Sequence, residues 1–464
     1  MKKVFFRSLT LFFALSLLWA CNNNDDNDPD PIVISDPDII DLAIASNDLS
    51  VLLEALVQAD LVATLQGNGP YTVFAPTNDA FETFLIENNY ASVFEIPLDV
   101  LSQVLLNHVV SGENFSSDLS TGYISSLSTA GAGGNNLSMF IDTTDGVSIN
   151  GVADVVNADN DATNGVVHIV NEVIGLPNIV DHATANSDLS SLVAALTDGG
   201  NTTFTDLLSD TEVDFTVFAP VNSAFDAFSN PNGNALDNIL SNHVIVNTAA
   251  ASTALTNSYL NTEGTNVDGD KLSIYVNTDN GVTLNGVSTV AVADIIATNG
   301  IIHAVDAVID IPTVVSFALA DPTFAPLVTA LTDTRLTTDF VSVLTGTGPF
   351  TVFAPTNVAF SNLLTDLQAN EISDIPEATL EAVLLHHVVS GANIRTEDLN
   401  KPGDTPATTL EGDDITITFP PTDPNIADIT DGTQNTGGII DVNIQAGNGV
   451  IHVLNAVLIP DTNN

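Results

Sequence analysis

One segment of the sequence occurs three times, and this repetition constrains the fold more than any other feature. A β-favouring run followed by Ala-Pro and an Asn recurs at Tyr71–Asn78, Phe215–Asn222 and Phe350–Asn357, with starts 144 and 135 residues apart. Repeats of roughly 20 to 50 residues are typical of solenoids, whereas periods this long indicate whole domains in tandem. The chain is therefore expected to contain three copies of one globular module.

Two further markers recur with the first. A histidine follows an Asn or a His near the middle of each copy, at His108, His243 and His387. An Asn-Gly pair then precedes an apolar strand with a central histidine, at His168, His303 and His452. The two histidines of a copy are 60, 60 and 65 residues apart. Such constant spacing indicates one ancestral unit that was tripled.

The first segment predicts a strand that leads directly into a helix. Val and Phe favour a strand, and the Pro cannot donate to a sheet ladder. The Asn that ends the segment, at Asn78, Asn222 and Asn357, is expected to cap the helix that follows. The Asn-Gly pair predicts a tight turn before the histidine-bearing strand.

The module boundaries follow from the common ends of the copies. Each copy closes on an apolar run that ends at Pro177, Pro312 or Pro460. The predicted modules are 36–177, 178–312 and 313–460. Because almost no linker separates them, we expect the modules to stack closely with limited hinge freedom.

The first 35 residues predict export and anchoring. Lys2, Lys3 and Arg7 precede the apolar run Leu9–Trp19, which is the pattern of a signal peptide over 1–20 and is too short for a mature membrane span. The run ends before Cys21, in a sequence that resembles the bacterial lipobox, so Cys21 is the predicted lipidation site. An ordinary secretory signal is the alternative. Residues 21–35 are polar and acidic and predict a disordered tether.

Composition limits the partners. Cys21 is the only cysteine, so no disulfide can form within the chain. The formal net charge is −51, which disfavours nucleic acid and anionic lipid headgroups as partners. Two interpretations of the acidity are open. It either keeps the protein soluble in a saline habitat, or it serves to bind divalent cations or a cationic partner.

The repeated histidines are the candidates for catalysis or metal binding. Their neighbours are aliphatic, which favours neutral histidines inside a core. The chain contains no hydrolase, zincin or nucleotide-binding motif. We therefore predict no enzyme activity, no catalytic or metal site and no cofactor. Weak Ca²⁺ binding remains open for three acidic loops, at 159–161, 268–270 and 413–414.

The first segment and the Asn-Gly strand resemble the two signature boxes of the fasciclin domain. The mid-module histidine resembles the Tyr-His motif of that family, with the Tyr replaced in every copy. The resemblance implies an α+β fold, in which each module is a β-sandwich wedge with several packed α-helices. It also implies adhesion through protein surfaces, and it makes the six histidines and three asparagines above structural signature positions.

The resulting hypothesis is an adhesion protein that is lipid-anchored in the outer membrane and faces the cell exterior. Its partner would be an extracellular protein or polysaccharide, and biofilm attachment would be the setting. A periplasmic or surface carrier for a small carbohydrate-like ligand is the alternative function, and a periplasm-facing anchor is the alternative location. The sequence leaves open the ligand-binding face and the oligomeric state.

Overall fold

The computed structural model describes residues 36–200, 202–421 and 424–461. Each module contributes five helices in the same order, and these are α1 (Ile39–Ala45), α2 (Ser50–Gln58), α3 (Val62–Leu65), α4 (Asn78–Glu87) and α5 (Leu98–Asn107) in module 1, α6 (Ile179–Ala185), α7 (Ser190–Leu196), α8 (Thr203–Leu208), α9 (Asn222–Ala227) and α10 (Leu236–Ser241) in module 2, and α11 (Val314–Ala320), α12 (Ala325–Leu331), α13 (Phe340–Leu344), α14 (Asn357–Asp366) and α15 (Glu377–His386) in module 3. Short 3-10 turns lie between some of these helices.

Each module also contributes seven strands, and these are β1 (Tyr71–Pro76), β2 (Val109–Ser111), β3 (Gly122–Ser125), β4 (Ser138–Asp142), β5 (Ser148–Ile149), β6 (Ala153–Ala162) and β7 (Gly165–Val170) in module 1, β8 (Phe215–Pro220), β9 (Val244–Val246), β10 (Ser258–Thr265), β11 (Lys271–Asn277), β12 (Thr283–Leu284), β13 (Ser288–Ala297) and β14 (Gly300–Val305) in module 2, and β15 (Phe350–Pro355), β16 (Val388–Ser390), β17 (Gly403–Thr408), β18 (Asp414–Phe419), β19 (Ala427–Thr430), β20 (Thr436–Ala446) and β21 (Gly449–Leu454) in module 3.

The three sheets have the same strand order, which is β2-β1-β7-β6-β5-β4-β3 in module 1. The two signature strands β1 and β7 are neighbours and run parallel, while the other pairs are antiparallel. A Cβ on Gly165 would collide with the main-chain oxygen of Tyr71, and Gly300 and Gly449 face the same obstacle in their modules. The Asn-Gly signature therefore permits close contact between the two signature strands.

Two apolar clusters form the core of modules 1 and 3, and module 2 has a third, smaller cluster of Ala224, Ile239 and Val308. In module 1 one cluster joins the helices to Val73 and Ala75 of β1. Phe74, on the opposite face of β1, belongs to a second cluster with Val110, Met139 and residues of β5 to β7. Since strands from both ends of the sheet meet in this second cluster, the sheet bends around it. The fold is the mixed α+β module that was predicted, and it occurs three times.

Module 2 departs from its neighbours in its helical half. A phenylalanine stands three residues after the signature Asn in each module. Its distance to the mid-module histidine is 27 residues in modules 1 and 3 but only 18 in module 2, between Phe225 and His243. The segment that module 2 lacks contains the buried residues Val93 and Ile96 in module 1. An apolar cavity of about 120 Å³ lies in the helical core of module 2, compared with about 20 Å³ at the same place in each neighbour.

Residues from Pro37 onward form one compact unit that holds all three modules. Within the described ranges, no single helix has both the length and the apolar composition to cross a membrane. One pair, Val314–Ala320 with Pro322–Leu331, meets those criteria only when the two helices are joined across a 96° bend.

Candidate functional site

The helix-end histidines His108, His243 and His387 are buried, and both of their ring nitrogens are occupied. In each, Nδ1 donates to the main-chain oxygen four residues earlier, at 2.7, 2.8 and 2.7 Å. Each Nε2 accepts a main-chain N–H, from Ile174 at 2.9 Å, Ile309 at 2.9 Å and Leu458 at 3.0 Å. Burial lowers the pKa of all three to about 4. These rings are neutral and tie α5, α10 and α15 to the last residues of their modules.

The strand histidines His168, His303 and His452 are held in the opposite tautomer. Nε2 donates to the oxygens of Asn114, Ala250 and Ile394, at 2.9, 3.0 and 2.7 Å. Nδ1 accepts the N–H of Asp159, Asp294 or Asn443, at 3.2, 3.3 and 3.5 Å. Each ring stacks on the signature phenylalanine at 5.5 or 5.6 Å between centroids. Burial lowers the pKa of His303, and it lowers that of His452 to about 4.

The signature asparagines do not cap the helices that follow them, so that prediction was wrong. Thr77 has the extended backbone of an N-cap, and its Oγ1 accepts the N–H of Ala80 at 3.2 Å. Asn78 is already helical, and its side chain reaches back to α2, where Oδ1 accepts the N–H of Val51 at 2.9 Å. Module 2 repeats the Asn contact through Asn222, but Val221 stands at the Thr position and offers no cap. Asn357 donates to the oxygen of Pro322 at 3.1 Å.

A second set of asparagines, which the sequence indicated only as turn residues, joins distant parts of each module. Asn164 Oδ1 accepts the first N–H of α1, from Ile39, at 3.0 Å. Its Nδ2 donates to the oxygens of Leu65 at 2.7 Å and Gly67 at 2.9 Å. Asn299 and Asn448 make the same contacts in modules 2 and 3. Sequence reasoning missed this role, although the Asn stands before Gly in all three copies.

In each acidic loop at least one carboxylate accepts from a protein donor, and these are Asp159, Asp270 and Asp414. The carboxylate of Asp159 accepts the N–H and the hydroxyl of Ser116 at 2.7 and 2.6 Å. In the described part of the chain, the only three-residue group with the spacing of metal ligands is His386, Glu411 and Asp413. His386 Nε2 accepts the N–H of Gly432 at 3.2 Å, so the neutral ring carries its proton on Nδ1, which faces Glu411. That nitrogen therefore has no free lone pair for a metal. Cys21 lies outside the described residues.

Tyrosines at equivalent places join the modules at both interfaces, which are called seam 1–2 (between modules 1 and 2) and seam 2–3 (between modules 2 and 3). At seam 2–3, Tyr259 of β10 packs edge-on against Phe317 of α11 at 5.5 Å, and its hydroxyl donates to Asp321 Oδ2 at 3.0 Å. At seam 1–2, Tyr123 of β3 packs against His182 at 5.7 Å and accepts a long bond of 3.4 Å from Asn186. Serines reinforce both seams, because Ser138 and Ser273 each accept a main-chain N–H from the next module, at 2.9 and 3.0 Å.

A cleft of about 790 Å³ opens along seam 2–3 and is the candidate binding site. Tyr259, Tyr275 and Asp279 line it from module 2, and Asp321 and Asp441 line it from module 3. Desolvation raises the pKa of Tyr259, and it raises that of Tyr275 to about 12, with Asp321 adding to both shifts. Desolvation and the charge of Asp321 raise the pKa of Asp441. The cleft thus combines aromatic rings with crowded negative charge.

The family model of the fasciclin domain matches the chain three times, over residues 47–177, 187–312 and 322–460. The chain belongs to the fasciclin-domain family. This confirms the family and the α+β fold class predicted from the signature segments.

Two curated fasciclin-domain relatives cover much of the chain. Human periostin is 29% identical over 346 residues, which are 70% of this chain and 37% of periostin. The transforming growth factor-beta-induced protein ig-h3 of Sus scrofa is 28% identical over 425 residues, which are 89% of this chain and 56% of that protein. The chain thus spans only about a third to a half of the length of these relatives. Among solved structures, a FAS1 domain pair from the insect cell adhesion molecule Fasciclin I matches with a TM-score of 0.37 and 20% identity, covering 55% of this chain and 95% of that one.

Proposed function

We propose that this protein is a surface-anchored adhesion protein that attaches cells to an extracellular protein or polysaccharide through its three fasciclin domains. The observation that carries the proposal is the repeated tyrosine contact, which holds three domains in register as one array. A partner with repeating units can engage several domains of such an array at once, and linked weak contacts then give strong attachment.

The chemistry inside the modules supports a role in binding rather than catalysis. The six signature histidines are bonded through both ring nitrogens to main-chain groups, so they are not free to act as bases or metal ligands. What remains for function is the surface, which carries a large excess of carboxylates. A protein of this kind acts by recognition, and its partner is expected to tolerate or require negative charge.

The anchor completes the proposal. Lipidation of Cys21 after removal of residues 1–20, with 21–35 as tether, would place the array outside the outer membrane, and a periplasm-facing array is the alternative. Protease shaving of intact cells, paired with a biofilm attachment assay on a deletion strain, tests location and function together. We expect the modules to be digested in whole cells and attachment to fall on deletion. Protection from protease together with unchanged attachment would refute the proposal.

A Cys21→Ala variant serves as the matched control. It removes the acylated thiol and leaves residues 37–461 unaltered, so the array folds without its lipid anchor. Attachment should fall as in the deletion strain, while the purified array should still bind its extracellular partner. Retention of attachment by the variant would show that the lipid anchor is not needed.

A second candidate function is a carrier that binds a small carbohydrate-like ligand, and the cleft at seam 2–3 favours it. Its volume of about 790 Å³ falls in the range of roughly 300 to 1,000 Å³ that is typical of small-molecule sites. A carrier predicts that the deletion strain loses ligand uptake and keeps its attachment, which is the opposite of the result expected for adhesion.

A further inference from the structure

The cleft at seam 2–3 is lined by hydrogen-bonding groups from both modules. Module 2 contributes Asn257, Asn261 and Asp279 besides its two tyrosines. Module 3 contributes the amides of Asn357 and Asn443 and the carboxylates of Asp321 and Asp441. No Lys, Arg or His is among the lining residues of this described site. A ligand that fits must therefore be polar and rich in donors, and it must not be an anion.

The carboxylates of this cleft are not equivalent. Asp321 is buried, and Oδ1 accepts the N–H and the hydroxyl of Thr323 at 2.9 and 2.8 Å, while Oδ2 accepts from Tyr259. Asp441 is exposed at the rim, and its Oδ1 accepts the N–H of Val442 at 2.8 Å. The charge of Asp321 disfavours the ionised form of Asp441. A cation placed between them would relieve this repulsion.

Seam 1–2 joins its two modules with different residues at the equivalent positions. The sheet register places Val292 opposite Ala304 in module 2, where module 3 places Asp441 opposite Val453. Asn186 ends α6 where Asp321 ends α11. Phe140 faces Tyr123 where Tyr275 faces Tyr259. At these three positions seam 2–3 thus carries two carboxylates and one hydroxyl that seam 1–2 lacks. Seam 1–2 in turn carries Asp188 and Asp294 where seam 2–3 has Thr323 and Asn443, so the two seams differ in where their carboxylates stand.

We propose that the cleft at seam 2–3 binds an amino sugar with a free ammonium group, as in a partly deacetylated amino-polysaccharide. The ammonium group is bound by the exposed carboxylate of Asp441 beside Asp321, the sugar hydroxyls bond the exposed amides of Asn261 and Asn357, and the apolar face of the ring lies against Tyr259. Charge-assisted bonds of this kind are about twice as strong as neutral ones. The inference rests on the proposed attachment to polysaccharide and names its chemistry.

Titration calorimetry of the soluble three-module chain, residues 36–464, tests this directly. The probes are the glucosamine tetramer and the N-acetylglucosamine tetramer, each at low and at physiological salt. We expect saturable 1:1 binding of the glucosamine tetramer and at least about tenfold weaker binding of the acetylated one, because acetylation removes the ammonium charge. Equal affinity for the two tetramers would overturn the proposal.

Matched variants locate the site. Asp441→Asn is nearly isosteric at an exposed position, and we expect it to weaken glucosamine-tetramer binding by about tenfold. Asp268→Asn makes the same charge change at an exposed turn outside the cleft and should leave affinity within about twofold. Equal losses in the two variants would show non-specific charge attraction and would overturn the proposal. Thermal melting of both variants checks that folding is unchanged.

Two further probes exclude other cations. Spermidine tests a bare polyamine, and Ca²⁺ alone tests a divalent ion. Binding of either one in the cleft more tightly than the glucosamine tetramer would overturn the assignment to an amino sugar. An attachment assay on cells carrying Asp441→Asn separates the two proposals. If no tetramer binds and the cells still attach, the amino-sugar inference fails while adhesion stands.

Discussion

Filling the apolar cavity of module 2 should stabilise that module, whereas the same change should destabilise its neighbours. Ala183 of α6 lines the cavity of about 120 Å³, and its counterparts Ala43 and Ala318 line cavities of about 20 Å³. Replacing each alanine by leucine adds three carbon atoms at a buried helical position. The three variants therefore share one chemical change and differ in the space that receives it.

The magnitudes follow from transfer and packing energies. Three buried carbons at about 0.8 kcal/mol each contribute about 2.4 kcal/mol, and fixing the leucine rotamer costs roughly 0.5–1 kcal/mol. Ala183→Leu should therefore stabilise module 2 by about 1–2 kcal/mol. In the smaller cavities the added atoms must displace neighbours, so Ala43→Leu and Ala318→Leu should cost about 1–3 kcal/mol.

Hydrogen exchange read by mass spectrometry resolves the modules within the intact chain. A gain of about 1.4 kcal/mol slows exchange of globally protected amides about tenfold. We expect slower exchange in β8 for Ala183→Leu, and faster exchange in β1 and β15 for the two controls. Destabilisation of β8 by Ala183→Leu would refute the claim that module 2 is underpacked beside α6.

Three further predictions concern the tyrosines at the seams, the contacts of Asn164 within module 1, and stability in acid. Tyr259→Phe removes a donor to the Asp321 carboxylate and should lower the free energy of unfolding in urea by about 1.5–3 kcal/mol. Tyr123→Phe removes only a long bond to a neutral amide and should lower it by less than about 1 kcal/mol. Asn164→Ala leaves one N–H and two main-chain oxygens without this partner, and it should lower the free energy of unfolding of module 1 by about 3 kcal/mol. Hydrogen exchange should then be faster in module 1 than in modules 2 and 3. The helix-end histidines have a folded pKa of about 4, below the unfolded value of about 6.5, so their contribution is complete above pH 6.5 and is lost as the pH falls toward 4. This predicts a loss of roughly 2 kcal/mol per histidine between pH 7 and 5, and an unchanged urea midpoint over that interval would contradict it.

Sequence reasoning succeeded where the signal is local and occurs three times. The Pro that ends the signature strand and the Gly that follows Asn164 each act through their own backbone, so they can be recognised without partners. The assignment of Asn78 as a cap failed because Thr and Asn stand side by side and both can cap. The one-residue choice depends on where the helix begins, and the extended backbone of Thr77 decides it.

The seams could not be read from the sequence because their contacts are distant. Tyr259 and Asp321 are 62 residues apart, and Ser138 and Ile296 are 158 residues apart. One signal was available, since two of the five tyrosines, Tyr123 and Tyr259, occupy equivalent places in modules 1 and 2. A large aromatic residue that recurs outside the core pattern is a reasonable indicator of contact between tandem domains.

Module 3 has no tyrosine at the position that Tyr123 and Tyr259 occupy in modules 1 and 2. Its register pairs Pro406 with Thr416, where modules 1 and 2 pair Tyr with an aromatic residue. Module 3 therefore lacks the tyrosine that makes the seam contact in modules 1 and 2. Asp321 accepts the hydroxyl of Tyr259 and therefore helps to join modules 2 and 3. Asp441 stands where module 2 has Val292, so its carboxylate is not explained by the joining of modules. Its effect is on what the seam offers to solvent, and that is a cleft suited to a cationic, hydroxyl-rich ligand.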